Sequence, residues 1–286
     1  MATIPPVTRL STRLIRILGF NPSPMTLQGT NTYLIGSGTR RILLDAGDPD
    51  VPDYISHLKQ VILDEKVIIG DIIVSHWHHD HIGGVDDVLN AIDNNESCRV
   101  WKFRRTDAPE PTLENTVCCE LKNGQKFEID GATLEVLHTP GHTTDHIVLL
   151  LHEDNSLFSG DCILGEGTTV FEDLYEYIKS LCIIKNTKPT VIYPGHGNVI
   201  TDPIDRINHY INHRNEREAQ ILAVLQSNPN VEFKEMDIVK VIYKNTPENL
   251  WMAAAYNVNH HLRKLTIERK IIHEHDAWKY VHSASL

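Results

Sequence analysis

A segment dense in histidine, Ser-His-Trp-His-His-Asp-His over residues 75–81, carries the side chains that bind metal ions. In an extended chain His76 and His78 point the same way, so both can reach one ion. Asp80 and His81 follow where the chain turns, so they can serve a second ion. Imidazole and carboxylate ligands suit Zn²⁺ first and also accept Mn²⁺ or iron. The segment therefore predicts a metal centre rather than a surface loop that is merely rich in histidine.

Three other segments each place one candidate ligand after a run of β-prone residues. His142 follows Thr-Pro-Gly, Asp161 follows Phe-Ser-Gly, and His196 follows Tyr-Pro-Gly. A single Pro-Gly-His is more often a turn with a solvated histidine, but the whole set amounts to five histidines and two aspartates, the ligand inventory of a dinuclear site. Two ions about 3.5–4 Å apart share a hydroxide whose pKa falls to about 7 on zinc, and they also hold a substrate oxyanion. The predicted chemistry is hydrolysis at an acyl carbon or at phosphorus, with two divalent ions, Zn²⁺ first, as cofactors.

These ligands need strands that end beside one another, and the sequence pattern supplies them. Residues 31–35 and 41–45 indicate a hairpin over Gly36, Ser37 and Gly38, and residues 71–75 indicate a buried strand that ends at the first histidine segment. Further strands are predicted near 98–102, 117–121, 126–129, 133–138, 146–151, 156–160 and 190–193, and helices over 51–65, 84–92 and 173–185. The pattern predicts a β-rich α/β domain over residues 1–203.

From residue 205 the pattern changes to helices followed by a strand pair. A long helix is predicted to residue 226, then helices near 235–244 and 248–265, and two β-prone runs at 267–274 and 277–281 joined through His275 and Asp276. This order resembles a winged helix. Residues 204–286 are therefore predicted to form a helical, winged-helix-like C-terminal domain.

The metal-ligand motifs, in this order, resemble the signature of the metallo-β-lactamase superfamily: His-x-His-x-Asp-His, then a histidine, a bridging aspartate and a last histidine. The resemblance covers residues 13–203 and implies an αββα sandwich in front of the winged-helix-like domain. It implies that the first metal ion is held by His76, His78 and His142, and the second by Asp80, His81 and His196. Asp161 is implied to bridge the two ions. Catalytic roles are implied for Asp80 and Asp161, and for Asp45, which would orient a ligand and its water. Trp77 and His79 alternate with the ligands and are expected to face away as packing.

Particular positions indicate the branch of the superfamily. An antibiotic-hydrolysing member would carry cysteine at position 161, where this chain has aspartate, and a redox-active diiron member would carry glutamate at position 78, where it has histidine. Neither of these branches is therefore indicated, and hydrolysis is favoured. Residues 25–34 and 249–254, with the helix-plus-hairpin tail, resemble the β-lactamase-like protein 2 family, which implies an endoribonuclease that cleaves single-stranded RNA by metal-hydroxide attack on the phosphodiester. The alternative is a glyoxalase II-like thioesterase (hydroxyacylglutathione hydrolase), which shares Thr-Pro-Gly-His-Thr but has an all-helical tail. The complete ligand set disfavours a non-catalytic RNA-binding protein.

A basic run interleaved with aromatic residues, positions 99–105, is independent support for an RNA substrate. Alternation along a strand points Val100, Lys102 and Arg104 one way, and cations beside stacking faces bind single strands. Lys102 and Arg104 are therefore expected to contact phosphates, although an edge strand with its aromatics in the core and its charges in water has the same pattern. Asn31 and Thr32 are expected either to line the cleft or to cap a turn.

Composition bounds the class of protein and its compartment. With 286 residues, 41% of them hydrophobic, and no apolar run near the roughly 20 residues that span a bilayer, the chain is expected to be globular and not inserted in a membrane. Its net charge of -11 argues against nucleic-acid binding by bulk electrostatics, and five cysteines without Cys-x-x-Cys spacing favour a reducing compartment. The first 44 residues hold five arginines and no acid, which fits a mitochondrial presequence or a first strand at 14–18 with arginine facing solvent. The family resemblance implies the mitochondrial matrix, with the cytoplasm as the alternative.

Overall fold

The computed structural model describes residues 3–93, 95–114, 116–229 and 231–281. The strands of this part are β1 Val7–Ser11, β2 Leu14–Leu18, β3 Asn31–Ile35, β4 Arg40–Leu44, β5 Ile68–Val74, β6 Arg99–Lys102, β7 Cys119–Glu120, β8 Lys126–Ile129, β9 Ala132–His138, β10 Ile147–Leu151, β11 Ser156–Gly160, β12 Ile192–Pro194, β13 Ile271–Glu274 and β14 Ala277–Tyr280. The α-helices are α1 Pro52–Glu65, α2 His79–Ile82, α3 Val85–Ala91, α4 Leu174–Thr187, α5 Pro203–Gln226, α6 Glu235–Ile242 and α7 Trp251–Ile267. Most bounds agree closely with the predicted ones, but β1 and the single-turn helix α2 were not predicted.

Two β-sheets face one another, and helices cover the outer side of each. The larger sheet has the strand order β1-β2-β3-β4-β5-β6-β7, and the smaller has the order β12-β11-β10-β9-β8. Alternate residues of one strand serve different layers: on β3, Tyr33 packs between the sheets, whereas Leu34 packs in the core that α1 and α3 complete. Helices α4 and α5 cover the smaller sheet through residues such as Leu181 and Tyr210. The predicted αββα sandwich is confirmed.

Local sequence explains where the framing elements begin and turn. Pro52 and Pro203 stand in the first turns of α1 and α5, where no helical hydrogen bond needs the backbone N–H of that residue. Asp173 caps α4, because its side chain accepts the backbone N–H of Glu176 at 2.9 Å. The hairpin between β3 and β4 turns at Gly36, whose φ of 117° is a conformation that favours glycine.

The C-terminal part is a winged helix that shares α5 with the sandwich. Helices α6 and α7 and the hairpin β13–β14 enclose a separate core that includes Ile238, Leu262 and Trp278. On α5, Tyr210 packs in the core of the smaller sheet, whereas Leu225 packs in the winged-helix core. The winged-helix prediction is confirmed. The boundary between residues 203 and 204 stays a prediction, since one helix serves both cores.

The segment Leu14–Leu18 is strand β2, which pairs antiparallel with β1 and β3, so its interpretation as a strand is confirmed. Arg16 in this strand is only 5% exposed and donates a hydrogen bond to Thr8 Oγ1 at 3.1 Å. The expectation that arginine faces solvent here is wrong for Arg16, because the unpredicted strand β1 supplies its partner. Among the residues that the structure describes, no helix is both long and apolar enough to cross a membrane.

Candidate metal centre

The predicted ligands follow strands whose ends meet at one edge of the sandwich. His76 comes shortly after β5, and His196 comes shortly after β12, in the other sheet. The ligand packing leaves no space for a side chain at Gly195, because a Cβ there would lie 2.5 Å from Asp161 Oδ1 and 3.0 Å from a ring carbon of His81. The Pro-Gly-His motif therefore needs its glycine so that ligands from both sheets can approach the backbone.

The first ligand set consists of His76, His78 and His142, with Asp161 beside them. Nδ1 of His78 lies 2.9 Å from Nε2 of His76 and 3.1 Å from Nε2 of His142, and the two Nε2 atoms are 3.3 Å apart. Around a tetrahedral zinc ion with bonds of about 2.0–2.1 Å, ligand atoms are separated by about 3.3 Å. The three nitrogens are therefore spaced as ligands of one ion.

The second ligand set consists of Asp80, His81 and His196. The Nε2 atoms of the two histidines are 3.3 Å apart, and Asp80 Oδ2 lies 3.3 Å from His81 and 3.1 Å from His196. Asp161 connects the sets, since its Oδ1 lies 3.4 and 3.3 Å from the same two nitrogens and its Oδ2 lies 3.8 Å from His142 Nε2. The structure thus brings all seven predicted ligands together, with one carboxylate between two sites.

Burial and neighbouring charges set the protonation of these ligands. Burial, together with the adjacent imidazoles, lowers the pKa of His78 to about 4 and holds that of His76 well below its usual range. Burial also acts to lower the pKa of His196, but Asp161 and Asp80 outweigh it and raise that pKa to about 9. Neutral imidazoles next to carboxylates are the donors that Zn²⁺ prefers. The residues therefore fit two divalent ions, and the second set has to release protons when it binds one.

Groups behind the ligands fix which ring nitrogen faces the centre. The Nδ1–H of His81 donates to Asp45 Oδ2 at 2.7 Å. Asp45 is 1% exposed and also accepts the backbone N–H of Ser75 at 2.7 Å and the Ser75 hydroxyl at 2.9 Å. Because it is buried behind His81, Asp45 is a positioning residue that presents Nε2 of His81 to the centre. This arrangement matches the orienting role predicted for Asp45, which acts through His81 and, being buried, does not touch a substrate.

One supporting residue that the sequence analysis missed is Arg214 on α5. It is 7% exposed, donates from Nη2 to the carbonyl of Thr169 at 2.9 Å, and lies over the ring of Phe171 at 4.7 Å. The neighbouring carbonyl of Val170 accepts the Nδ1–H of His142 at 2.8 Å. The helix shared with the winged helix therefore holds the loop that orients a ligand of the first set.

A second missed residue is His146, which is completely buried but belongs to neither ligand set. Its Nε2 accepts the backbone N–H of Asp161 at 3.1 Å, and its Nδ1 lies 3.0 Å from the hydroxyl of Thr139. It fixes the backbone of the bridging aspartate. Its place in Gly-His-Thr-Thr-Asp-His, four residues after a ligand, was the available signal, but the spacing does not tell a ligand from a support.

The two ligand sets open into a cleft of about 250 Å³. Its lips are apolar and exposed, since Met25 is 63% and Val170 is 55% accessible to solvent. His78 and Asp80 line it from the ligand sets, and among the described residues that line it Glu166 is the one charged side chain outside those sets. The cleft therefore combines a polar floor with apolar rims.

The structure does not support phosphate contact by the basic run. Lys102 is buried, and its Nζ lies 2.7 Å from Asp145 Oδ2 and 2.6 Å from Glu110 Oε2. Arg104 is exposed, but it lines a separate cavity of about 330 Å³ together with Glu110 and Glu120. The prediction that Lys102 contacts a phosphate is wrong, because acidic side chains from other segments of the chain surround its ammonium group. Arg104 lies outside the cleft that holds the ligands.

Asn31 and Thr32 are completely buried and do not line the cleft. Asn31 Nδ2 donates to the carbonyls of Pro194 at 3.0 Å and Gly197 at 2.9 Å, and the Thr32 hydroxyl donates to the carbonyl of Ile17 at 2.9 Å. Of the two alternatives expected for them, lining the cleft is wrong. Asn31 instead ties β3 to the loop that carries the last ligand.

The residues between the ligands behave differently from one another. Trp77 is half-buried; its ring lies 4.6 Å from that of His78 and 4.0 Å below the guanidinium of Arg105. His79 has a side chain 75% exposed, with Nδ1 3.2 Å from Asp48 Oδ1. The packing prediction is wrong for His79, because helix α2 turns its side chain into solvent.

Comparison with known proteins gives matches over both parts of the chain. Residues 25–100 and 120–196 match the model of the metallo-beta-lactamase superfamily, and residues 235–278 match that of the beta-lactamase associated winged helix domain. A beta-lactamase-like protein 2 homolog of Drosophila melanogaster is 59% identical over 274 residues, which cover 95% of this chain and 94% of the relative. An atrochrysone carboxyl ACP thioesterase of Aspergillus chevalieri is 35% identical over 277 residues, which cover 95% of this chain and 86% of the relative. The crystal structure of a beta-lactamase domain protein from Burkholderia ambifaria superposes with a TM-score of 0.78 over 96% of this chain and 93% of that one, at 18% identity, which is a likeness of fold.

Proposed function

Because the chain belongs to the metallo-beta-lactamase superfamily of hydrolases and matches a beta-lactamase-like protein 2 homolog over 95% of its length, we propose that it is an endoribonuclease that cleaves single-stranded RNA. The enzyme would use two divalent ions, Zn²⁺ first, to hydrolyse a phosphodiester. It is the finer form of the hydrolase activity that the ligand sets already indicate.

The observation that carries the proposal is the position of Asp161, with one carboxylate oxygen toward each ligand set. Two divalent ions held there would activate a water molecule. The two carboxylate ligands offset only part of the charge of the ions, so the remaining positive charge would attract an anionic phosphodiester. His78 and Asp80 belong to different sets and both line the cleft, so the reacting group of a substrate can lie between the sets. A neutral thioester gains less from the remaining positive charge than a phosphodiester does.

The walls of the cleft suit a single strand. Met25 and Val170 present exposed apolar surface on its lips, above a floor that His78 and Asp80 line. Single strands bind to faces on which bases stack and to cations that follow the backbone. The apolar lips of the cleft, rather than the basic run at 99–105, therefore support the proposal of RNA binding.

A thioesterase is the second candidate, and two observations favour it. The relative from Aspergillus chevalieri carries the name of an acyl-carrier-protein thioesterase, at 35% identity. The apolar lips of the cleft could also hold an acyl chain. The glyoxalase II-like form of this alternative predicts hydrolysis of S-lactoylglutathione.

One parallel assay separates the two candidates. Protein loaded with Zn²⁺ or Mn²⁺ receives end-labelled single-stranded RNA in one tube and S-lactoylglutathione or an acyl thioester in another. We expect RNA cleavage that His78→Ala abolishes and that His79→Ala, a matched change at the exposed neighbouring histidine, leaves in place. Rapid thioester hydrolysis with no RNA cleavage would reverse the assignment.

We also propose that the protein acts in the mitochondrial matrix, with the cytoplasm as the alternative. The family resemblance supports this location, and the first 44 residues, with five arginines and no acid, would serve as an uncleaved targeting segment, because they contain strands β1 to β4 of the fold. Protease treatment of isolated mitochondria tests this location. The chain should resist digestion until the inner membrane is opened, and digestion of the chain while the mitochondria are intact would contradict the proposal.

A further inference from the structure

The outer face of helix α7 carries two large side chains that point into solvent. Tyr256 is 61% exposed and Met252 is 74% exposed. They stand four residues apart on the helix, so they are neighbours on one face. Single exposed apolar residues are common on protein surfaces, so the position of this pair decides what it indicates.

Tyr256 lies beside the lip of the metal cleft. Its ring is 4.5 Å from the ring of His260, which in turn is 5.3 Å from the ring of Phe171. Phe171 directly follows Val170, the exposed residue on the lip of the cleft. His260 and Phe171 are buried, so this row of rings is firmly packed and ends at the exposed ring of Tyr256. A strand that leaves the cleft over Val170 would therefore meet Tyr256 next.

Farther along α7 the same face leads into a cavity of about 640 Å³ in the winged helix. Arg263 lines this cavity two helical turns after Tyr256, about 10 Å along the helix axis. Lys234 lines it from the start of α6. The exposed ring of His273, on the hairpin, stacks on the ring of Trp278 at 4.3 Å. The cavity thus presents two cations and a firmly held aromatic ring.

The two cations are available to an anion. Neither Arg263 nor Lys234 forms an ion pair with any residue that the structure describes. Two acids also line the cavity, but the Glu235 carboxylate already accepts Asn259 Nδ2 at 2.7 Å, and Asp276 stands at the exposed turn of the hairpin. Rings and cations along one face suit a single strand, because bases stack on the rings and phosphates contact the cations.

We propose that Tyr256, Arg263 and Lys234 form an RNA-binding surface, the winged-helix surface, which holds the part of a single strand that extends beyond the cleft; this inference rests on the proposed function. These residues belong to neither ligand set and do not line the cleft. The winged-helix surface therefore contributes to affinity for the strand rather than to the chemical step. An acidic protein could use the same cations, but the exposed rings favour nucleobases.

Kinetics on a short and a long RNA test the stacking contact. One cleavage site is placed in a strand of about 4 nucleotides and in a strand of about 16 nucleotides. Tyr256→Ala should raise KM for the long strand about 5-fold or more, as for loss of one base stacked on an aromatic ring. The loss should appear in KM rather than in kcat and should be much smaller on the short strand. Tyr256→Phe keeps a stacking ring and should recover most of the affinity.

Salt dependence tests the phosphate contact independently. For Arg263→Gln, the slope of log kcat/KM on the long strand against the logarithm of the salt concentration should become shallower by about 0.7, the value for one phosphate of a single strand. Lys234→Gln should have the same effect. Lys240→Gln, at an exposed lysine of α6 outside the cavity, is the matched control and should retain the wild-type slope. Zinc content and melting temperature, measured for every variant, should stay at the wild-type values.

Each other outcome counts against the winged-helix surface. If the wild type cleaves RNA but Tyr256→Ala and Arg263→Gln lose nothing, or lose equally on both strands, the surface does not hold the strand and the proposed function stands. A KM as high in Tyr256→Phe as in Tyr256→Ala would refute stacking. If the wild type cleaves neither strand, the proposed function fails and this inference falls with it. A KM for the thioester of an acidic acyl carrier protein that Arg263→Gln raises would then assign the surface to a protein partner.

Discussion

Asp45→Asn is expected to weaken metal binding by the second ligand set while the fold persists. Asp45 accepts His81 Nδ1–H at 2.7 Å and also the N–H and hydroxyl of Ser75. An asparagine that keeps its oxygen toward the Ser75 N–H presents its NH₂ group to His81. To avoid two facing donors, His81 has to carry its proton on Nε2, the atom that faces the centre. The φ of 60° at position 45 is one that asparagine adopts readily, so the change adds no backbone strain.

The size of the effect follows from what the carboxylate does for its ligand. Loss of such a partner behind a ligand costs about 10- to 100-fold in metal affinity, or about 1.4–2.7 kcal/mol. The dissociation constant of the second set should rise by that factor. The first set should change less, because the Val170 carbonyl orients His142 and Asp45 reaches His76 only through the Ser75 hydroxyl.

Competition of zinc with a chromophoric chelator measures both dissociation constants in one titration. Asp71→Asn is the matched control: Asp71 is 4% exposed in the middle of β5, accepts Trp101 Nε1–H at 2.8 Å and pairs with Arg40. This control should lower the melting temperature without changing either constant. Unchanged zinc affinity in Asp45→Asn, or equal weakening of both sets, would refute the reasoning.

Three further predictions concern groups around the site and in the winged helix. Lys102→Met leaves Asp145 buried without its cation and should lower the free energy of unfolding by about 3–5 kcal/mol. Arg104→Met, at an exposed side chain, should change it by less than about 0.5 kcal/mol. Urea titrations that show equal effects for the two variants would contradict the burial of Lys102. Arg214→Met should weaken zinc binding by the first set about tenfold, since the carbonyls of residues 169 and 170 lose their anchor; a lower melting temperature with unaltered zinc affinity would show a purely structural role. For Glu218, burial acts to raise the pKa, but His261, Lys264 and Lys270 outweigh it and lower the pKa to about 2. The stability that Glu218 contributes is therefore complete above its ordinary pKa and is lost as the pH falls toward its pKa in the folded protein. The difference in unfolding free energy between wild type and Glu218→Gln, about 2 kcal/mol at neutral pH, should thus shrink steadily in acid. A difference that does not depend on pH would contradict the ion pairs.

The sequence was enough to predict most strands and helices and the positions of all seven ligands. The reason is local: alternation and helical periodicity act within one element, and each ligand stands within a few residues of a strand end. His76 and His78 could be paired from their spacing alone. The bridging place of Asp161 came from the family resemblance, since spacing does not show which carboxylate lies between two ions.

The wrong predictions concern side chains whose partners are distant in the chain. Asn31 was expected near substrate, but its acceptors are 163 and 166 residues away. Lys102 has the pattern of an exposed cation on an edge strand, and only the fold brings Asp145 to it. Glu166 lies in a loop without periodicity, so local pattern offers no reason to place it in the cleft. Such positions depend on how the two sheets face one another, which local pattern does not encode.

Cleavage of single-stranded RNA in heavy-oxygen water, followed by mass measurement of the fragments, tests the central claim most directly. Hydrolysis that uses a solvent oxygen in line with the departing 3′-oxygen gives 3′-hydroxyl ends and places the label in the new 5′-phosphate. Attack by the RNA's own 2′-hydroxyl gives a 2′,3′-cyclic phosphate and no label in a 5′-phosphate. We predict labelled 5′-phosphates that disappear when the metals are chelated. Cyclic phosphate ends, or no cleavage by the metal-loaded protein, would contradict the account.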